Sequence, residues 1–189
     1  MVPGTPRGAL WEQTLEATFF GTYEHTLDGK GRLILPAKFR KEFTGDAEGY
    51  LSQSSDRCLN LWTPPEFRKR MQKMRLQANR GRAYRNVARV WAAGVAEIQV
   101  DAQGRVPIPA HLRSFAQLEG DVLVIGAYEK VEIWSPSVWR ERVMPSERDL
   151  TEKVDIEGDQ FFEMDQVLDA DAVFDSDAPV ERGHQGGGS

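Results

Sequence analysis

The sequence predicts an α+β, β-rich fold made of two tandem copies of one small module, and three observations carry that reading. A block from Gly21 to Arg40 recurs from Gly94 to Arg113, with the same Gly, Glu, Asp, Gly, Arg, Pro, Ala and Arg in both copies. A second block, Leu59 to Arg70, recurs from Val131 to Arg142, in the same order and at nearly the same offset. Within each copy, short apolar runs of strand length are punctuated by turn residues and followed by brief helical spacings. Two blocks repeating in register make duplication of one supersecondary unit the explanation.

The elements follow in order from local chemistry. Residues 1–17 form an N-terminal extension outside the repeat, where Leu10, Trp11 and Leu15 have the spacing of a short helix and no assigned role. The first domain spans 22–69. Tyr23, His25 and Leu27 alternate with polar neighbours, the pattern of a half-buried strand. Asp28 to Gly31 reads as a turn, because Asp bonds the backbone two residues on and Gly accepts positive φ. Leu33 to Leu35 is a short apolar strand, and Pro36 suits the first position of a brief helix with Phe39 and Phe43 on one face. A second strand pair is expected around Tyr50–Leu51 and Cys58–Trp62. Thr63-Pro-Pro-Glu66 has capping-box spacing, so a longer helix with an apolar stripe of Phe67, Met71 and Met74 starts there. Residues 70–94 form a helical basic linker. Within it Tyr84, Val87, Ala88 and Trp91 share one helix face, and Arg82, Arg85 and Arg89 the opposite one. The second domain spans 95–139, and Pro107 marks its strand as an edge or a bulge, since proline donates no ladder hydrogen bond. From 147 to 189 the acidic, turn-rich composition is that of a disordered tail.

Composition narrows the function. A chain of 189 residues with 40% hydrophobic content can bury one ordinary core or two small ones. No apolar run approaches the roughly 20 residues of a bilayer crossing, and the N-terminus lacks a secretion signal. With the single Cys58, these features suggest a cytoplasmic protein. The net charge of −5 is unevenly spread, with 13 acidic residues from Glu147 onward against only Arg148, Lys153 and Arg182. The rest of the chain is therefore cationic, and nine Lys and Arg residues between Arg68 and Arg89 occur without one acid among them. A field of that sign attracts polyanions, although a charge run is also simply a solvated helix face.

Catalytic and metal motifs are missing. His25, His111 and His184 form no short-spaced pair with each other or with Cys58, and no zinc, nucleophile-elbow or phosphate-loop signature occurs. His25 with Asp28 falls short of the three ligands a metal wants, and the second copy has Ile98 in place of His25. We therefore expect no enzyme activity, no metal, no cofactor and no small-molecule substrate, with Cys58 a buried small hydrophobe.

What the repeat retains is Asp-x-x-Gly-Arg. Two compatible readings stand: Asp28 and Arg32 meet across the loop and fix the turn, or Asp28 organises a turn from which Arg32 reaches phosphate or a guanine edge. Lys30 and Lys38 would add phosphate contacts that set position without reading sequence.

The stretch Phe20 to Arg40 closely resembles the opening of MraZ family proteins, and Asp56-Arg-Cys-Leu59, Glu132-Ile-Trp134 and Gly94 to Arg113 extend the resemblance over roughly residues 20–145. It implies AbrB-like swapped-hairpin domains, with Asp28, Gly31, Asp101 and Gly104 organising the loops and Lys30, Arg32, Lys38 and Arg105 touching DNA. It also implies a nucleoid-associated bacterial transcriptional regulator, a ring-like homo-oligomer acting on the promoter of the division and cell-wall gene cluster. Gln103 in place of lysine departs from the first motif, so the second copy is expected to serve assembly more than reading. A module of about 50 residues has a marginal core alone, so hairpins of the two copies should interleave as a pseudo-dimer. A ring of such loops would bind short direct repeats in double-stranded DNA by effective concentration. An oligomeric scaffold and an antitoxin-like protein-binding module are the alternatives.

Overall fold

The protein is described here from a computed structural model, which describes residues 18–43, 48–147 and 149. The expected helix within 1–17 and most of the tail lie outside them.

The chain runs β1 (Phe19–Thr26), β2 (Arg32–Ile34), α1 (Ala37–Arg40) with a 3-10 turn (Lys41–Phe43), β3 (Glu48–Gln53) and β4 (Leu59–Trp62). It continues through α2 (Pro64–Ala78) and α3 (Arg82–Ala93) into β5 (Ala96–Gln99), β6 (Arg105–Pro107), α4 (Ala110–Phe115), β7 (Asp121–Tyr128), β8 (Lys130–Trp134) and α5 (Pro136–Arg142). The second copy repeats the first strand for strand and α-helix for α-helix, with α3 the added link and the 3-10 turn found in the first copy.

The strands form a six-stranded sheet in the order β1-β7-β8-β4-β3-β5 and a separate ribbon of β2 with β6. Exchanging each strand for its equivalent in the other copy reads the sheet order backwards, so the two copies are related by a pseudo-two-fold. The axis runs through two pairs of equivalent residues, Asn60 opposite Glu132 between β4 and β8 and Leu33 opposite Val106 in the ribbon. Each copy keeps its own hairpin, β3–β4 or β7–β8, but gives its first strand to the other: β1 pairs with β7, and β5 with β3. The interleaving expected from module size and from the resemblance is therefore observed.

One core serves both copies. Leu51, Leu59, Leu61, Val122, Val124, Val131 and Ile133 share a sheet face with Leu33, Leu35, Val106 and Ile108 of the ribbon segments and Phe39 and Leu112 of α1 and α4. Phe19 packs edge-on against Phe39 at 5.3 Å and stacks on Phe43 at 6.0 Å. The two phenylalanines four apart thus do share a buried face. The opposite sheet face carries Cys58, Ile125 and Trp134 under Val138 of α5. On that same side Tyr50 stacks on Phe67 of α2 at 4.2 Å, and Phe67 on Trp91 of α3 at 5.7 Å. Strand alternation therefore puts α2 and α3 on the sheet face turned away from the ribbon. Burial pushes the Cys58 thiol up to about 12, as suits an inert core residue.

Several local expectations need correction. Pro36 is the N-cap of α1, not its first helical residue. Helix α2 does start after Thr63, but no capping box forms: Thr63 makes no side-chain cap bond, and Glu66 binds Lys69 at 3.1 Å instead. Pro65 occupies N2 and has no N–H, which removes one of the two donors an N-cap threonine ordinarily accepts from. The Thr63 hydroxyl is buried with no partner among the described residues. Thr63→Val should accordingly leave stability to urea unchanged or raise it by up to about 1 kcal/mol. A loss above about 1 kcal/mol would show that the hydroxyl does bind something. Of the expected α2 stripe only Phe67 is buried, Met71 being 41% exposed. On α3, Tyr84, Ala88 and Trp91 are half-buried, whereas Val87 leaves the expected face and is 63% exposed. Pro107 lies in a two-stranded ribbon, where every strand is an edge, as its missing donor requires.

Candidate nucleic-acid interface

The candidate site is the β2–β6 ribbon with the two turns that lead into it. In the first turn the Asp28 carboxylate does three jobs. Its Oδ1 accepts from the backbone N–H of Lys30 at 2.9 Å and of Arg32 at 3.0 Å, while Oδ2 accepts from Arg32 Nε at 2.7 Å. Arg32 Nη2 also lies 2.7 Å from Oδ2. The backbone closes on itself through Gly31 N–H to Asp28 C=O at 2.8 Å, with Gly31 at φ +72°. The second turn reproduces this atom for atom: Asp101 Oδ1 accepts from Gln103 and Arg105 N–H at 2.9 Å each, and Oδ2 from Arg105 Nε at 2.7 Å. Lys30 and Gln103 enter these bonds through their backbones, so changing one for the other leaves the turn intact.

Those bonds hold both aspartates ionised. The Arg32 side-chain bond, then its backbone N–H, lowers Asp28 from 3.8 to about 2. Asp101 is lowered first by the Arg105 N–H and then by its side chain. A depressed carboxyl favours the folded turn above the unfolded pKa and loses that contribution as pH falls through the folded one. The amide resonances of Lys30 and Arg32 should therefore hold their positions to below pH 4 and move with a midpoint near 2. A midpoint close to 4 would mean that Asp28 and Arg32 do not pair in solution.

Each turn is also buttressed by the other copy. Arg40 at the end of α1 donates Nε to Leu35 C=O at 2.7 Å and lies against Gly104, and Arg113 of α4 donates Nη1 to Ile108 C=O and lies against Gly31. Any Cβ at Gly31 or Gly104 would run into the facing guanidinium. These two arginines recur in the repeat, and that recurrence was the available signal, but nothing local says that they reach across to the partner copy.

Leu33 and Val106 are fully buried, so their neighbours Arg32, Ile34, Arg105 and Pro107 face outward along the ribbon. Arg32 and Arg105 thus sit diagonally across the pseudo-two-fold, each side chain about a third exposed, with Ile34 exposed between them. Asp28 engages Nε and Nη2 of Arg32, and Nη1 has no partner among the described residues. Lys30 is exposed at the turn and Lys38 on α1, and their equivalents Gln103 and His111 are exposed as well. The structure thus brings Arg32 and Arg105 to one face of the ribbon, each beside its own aspartate turn, while Gly31 and Gly104 are buried beneath. His25 lies on β1 rather than in this site, half-buried, and is lowered by burial and by Arg40. Among the described residues no group of three or more His, Cys, Asp or Glu could hold a metal, and no helix is long and apolar enough to cross a membrane.

Comparison with known proteins matches residues 18–87 and 92–156 to a family described as "MraZ protein, putative antitoxin-like". A protein of Salinispora arenicola named transcriptional regulator MraZ is 42% identical over 134 residues, covering 71% of this chain and 93% of its own. Its namesake in Micrococcus luteus is 42% identical over 135 residues, covering 71% and 92%. That of Caldanaerobacter subterraneus is 42% identical over 121 residues, covering 64% and 83%.

Proposed function

The chain belongs to the MraZ family, and on that premise we propose that it is a DNA-binding transcriptional regulator, not an enzyme, which reads duplex DNA with the β2–β6 ribbon. The observation that carries this reading is the outward pair Arg32 and Arg105, each pinned by an aspartate at 2.7 Å. A B-DNA major groove admits a two-stranded ribbon, and arginine is its commonest guanine reader. Pinning removes the rotamer freedom that a long side chain would lose on binding, so a larger share of the contact energy appears as affinity. Lys30 and Lys38 flank the pair as phosphate contacts, and the second motif, whose geometry equals the first, takes part in reading.

Self-association completes the proposal. Leu76, Val87 and Val90 are each more than 60% exposed on α2 and α3. Exposed apolar side chains of that kind support assembly of several subunits into a ring-like oligomer. Ribbons at regular spacing would bind short direct repeats by effective concentration, in the promoter of the division and cell-wall gene cluster and in association with the nucleoid.

The test is binding of the full chain to its own upstream promoter fragment and to a scrambled fragment, at two salt concentrations. Selective binding that weakens steeply with salt is the expected result. Equal, weak binding to both fragments by a folded oligomer would overturn the reading in favour of a scaffold.

A further inference from the structure

We infer that the α2–α3 hairpin is a second duplex-binding surface, specific for the phosphate backbone and indifferent to sequence, on the side of the sheet opposite the ribbon. The inference stands whether or not the ribbon reads sequence. All nine basic side chains from Arg68 to Arg89 are exposed, and the chain holds no acidic residue between Phe67 and Ala96. Apart from Glu66, which pairs with Lys69 at 3.1 Å, such a surface lacks the interspersed carboxylates that ordinarily neutralise a solvated helix. On α3 the cations are ordered. Arg82, Arg85 and Arg89 fall along one stripe, set apart from the packed side chains Tyr84, Ala88 and Trp91 and from the apolar flank of Val87 and Val90.

The stripe runs about 10 Å along the helix axis. That length of duplex axis carries about three phosphates of one strand, at about 3.4 Å of axial rise each. Arg89 also donates Nη1 to Asn86 Oδ1 at 3.0 Å, and a run of guanidinium groups on phosphate carries no sequence information. Phe67 and Trp91 stack the hairpin onto Tyr50, on the face away from Leu33 and Val106. A duplex on the ribbon and a duplex on α3 therefore approach one subunit from opposite sides, and one subunit can hold two DNA segments together.

Four full-length variants test this: Arg32→Ala with Arg105→Ala, the same pair combined with Arg82→Ala, Arg85→Ala and Arg89→Ala, the same pair combined with Arg82→Lys, Arg85→Lys and Arg89→Lys, and the three α3 alanines alone. The probe is a random-sequence duplex, with binding measured over a salt series and folding checked by circular dichroism. The ribbon variant should keep salt-dependent binding. The α3 alanines should lower the slope of log affinity against log salt by about 2–3 units and weaken binding about tenfold or more at low salt, and lysines should restore both. Residual binding untouched by the α3 alanines overturns the inference, as does a ribbon variant that binds no DNA at all. So does a wild-type hairpin found to bind an acidic peptide of residues 155–181 in preference to duplex DNA. Promoter selectivity of an α3-only variant should persist, which separates failure here from failure of the ribbon as reader.

Discussion

Replacing Arg32 and Arg105 together by alanine is expected to abolish selective promoter binding while the fold survives. A well-placed arginine contributes about 1–3 kcal/mol of discrimination at a base edge, so two should lower affinity for the promoter fragment by about thirtyfold or more. The turns should persist, because the backbone N–H groups of Lys30, Arg32, Gln103 and Arg105 still bind Asp28 and Asp101. Fluorescence anisotropy with promoter and scrambled fragments measures the loss, and circular dichroism the fold. A double variant that still separates the two fragments would take the reading function away from the ribbon. The single variants carry extra information, since equal losses would make the two copies equal readers, whereas a loss confined to Arg32→Ala would return the second copy to an assembly role.

Gly126→Ala is expected to give a large loss of stability, about 3 kcal/mol. Gly126 faces Gly21 where β7 pairs with β1. An added Cβ would lie 2.3 Å from Phe20 N, 2.4 Å from Phe19 C and 2.7 Å from Phe19 O. These are backbone atoms of a strand anchored by the fully buried Phe19, so the strands must part for the methyl group to enter. Gly29→Ala supplies the contrast, since its Cβ would meet nothing within 4 Å and its change should stay within about 1 kcal/mol. Urea denaturation of both variants measures the difference. A loss below about 1 kcal/mol at Gly126 would mean that β1 and β7 separate at little cost, and that the exchanged strand is not essential to the core.

Much of this architecture was legible in the residues, and the gaps have physical causes. Period-2 alternation in Tyr23, His25 and Leu27 shows which face a side chain takes but not which strand lies beside it. The exchange of β1 and β5 therefore came from the size of one module and from the resemblance, not from local pattern. The Asp28 and Asp101 turns were readable because all their bonds fall within five residues. Arg40 and Arg113 were not, because each acts on a glycine of the other copy, far away in sequence. The capping-box spacing at Thr63 placed the helix start correctly and its chemistry wrongly, since the adjacent prolines alter the available donors. On α3, helical periodicity grouped Val87 with Tyr84 and Trp91, yet a helix seated on a single stacked aromatic buries too narrow a strip to cover it.

The pseudo-two-fold through Leu33 and Val106 has one more consequence. A true homodimer presents identical half-ribbons and is matched by a palindrome. Here both halves belong to one chain, and they have diverged: Lys30, Ile34 and Lys38 on one side stand where Gln103, Pro107 and His111 stand on the other. A ribbon of this kind has a head and a tail. Bound in a groove as proposed, it would distinguish the two directions along the duplex, so its preferred site would be asymmetric, and successive subunits facing the same way would call for sites repeated head to tail, not mirrored.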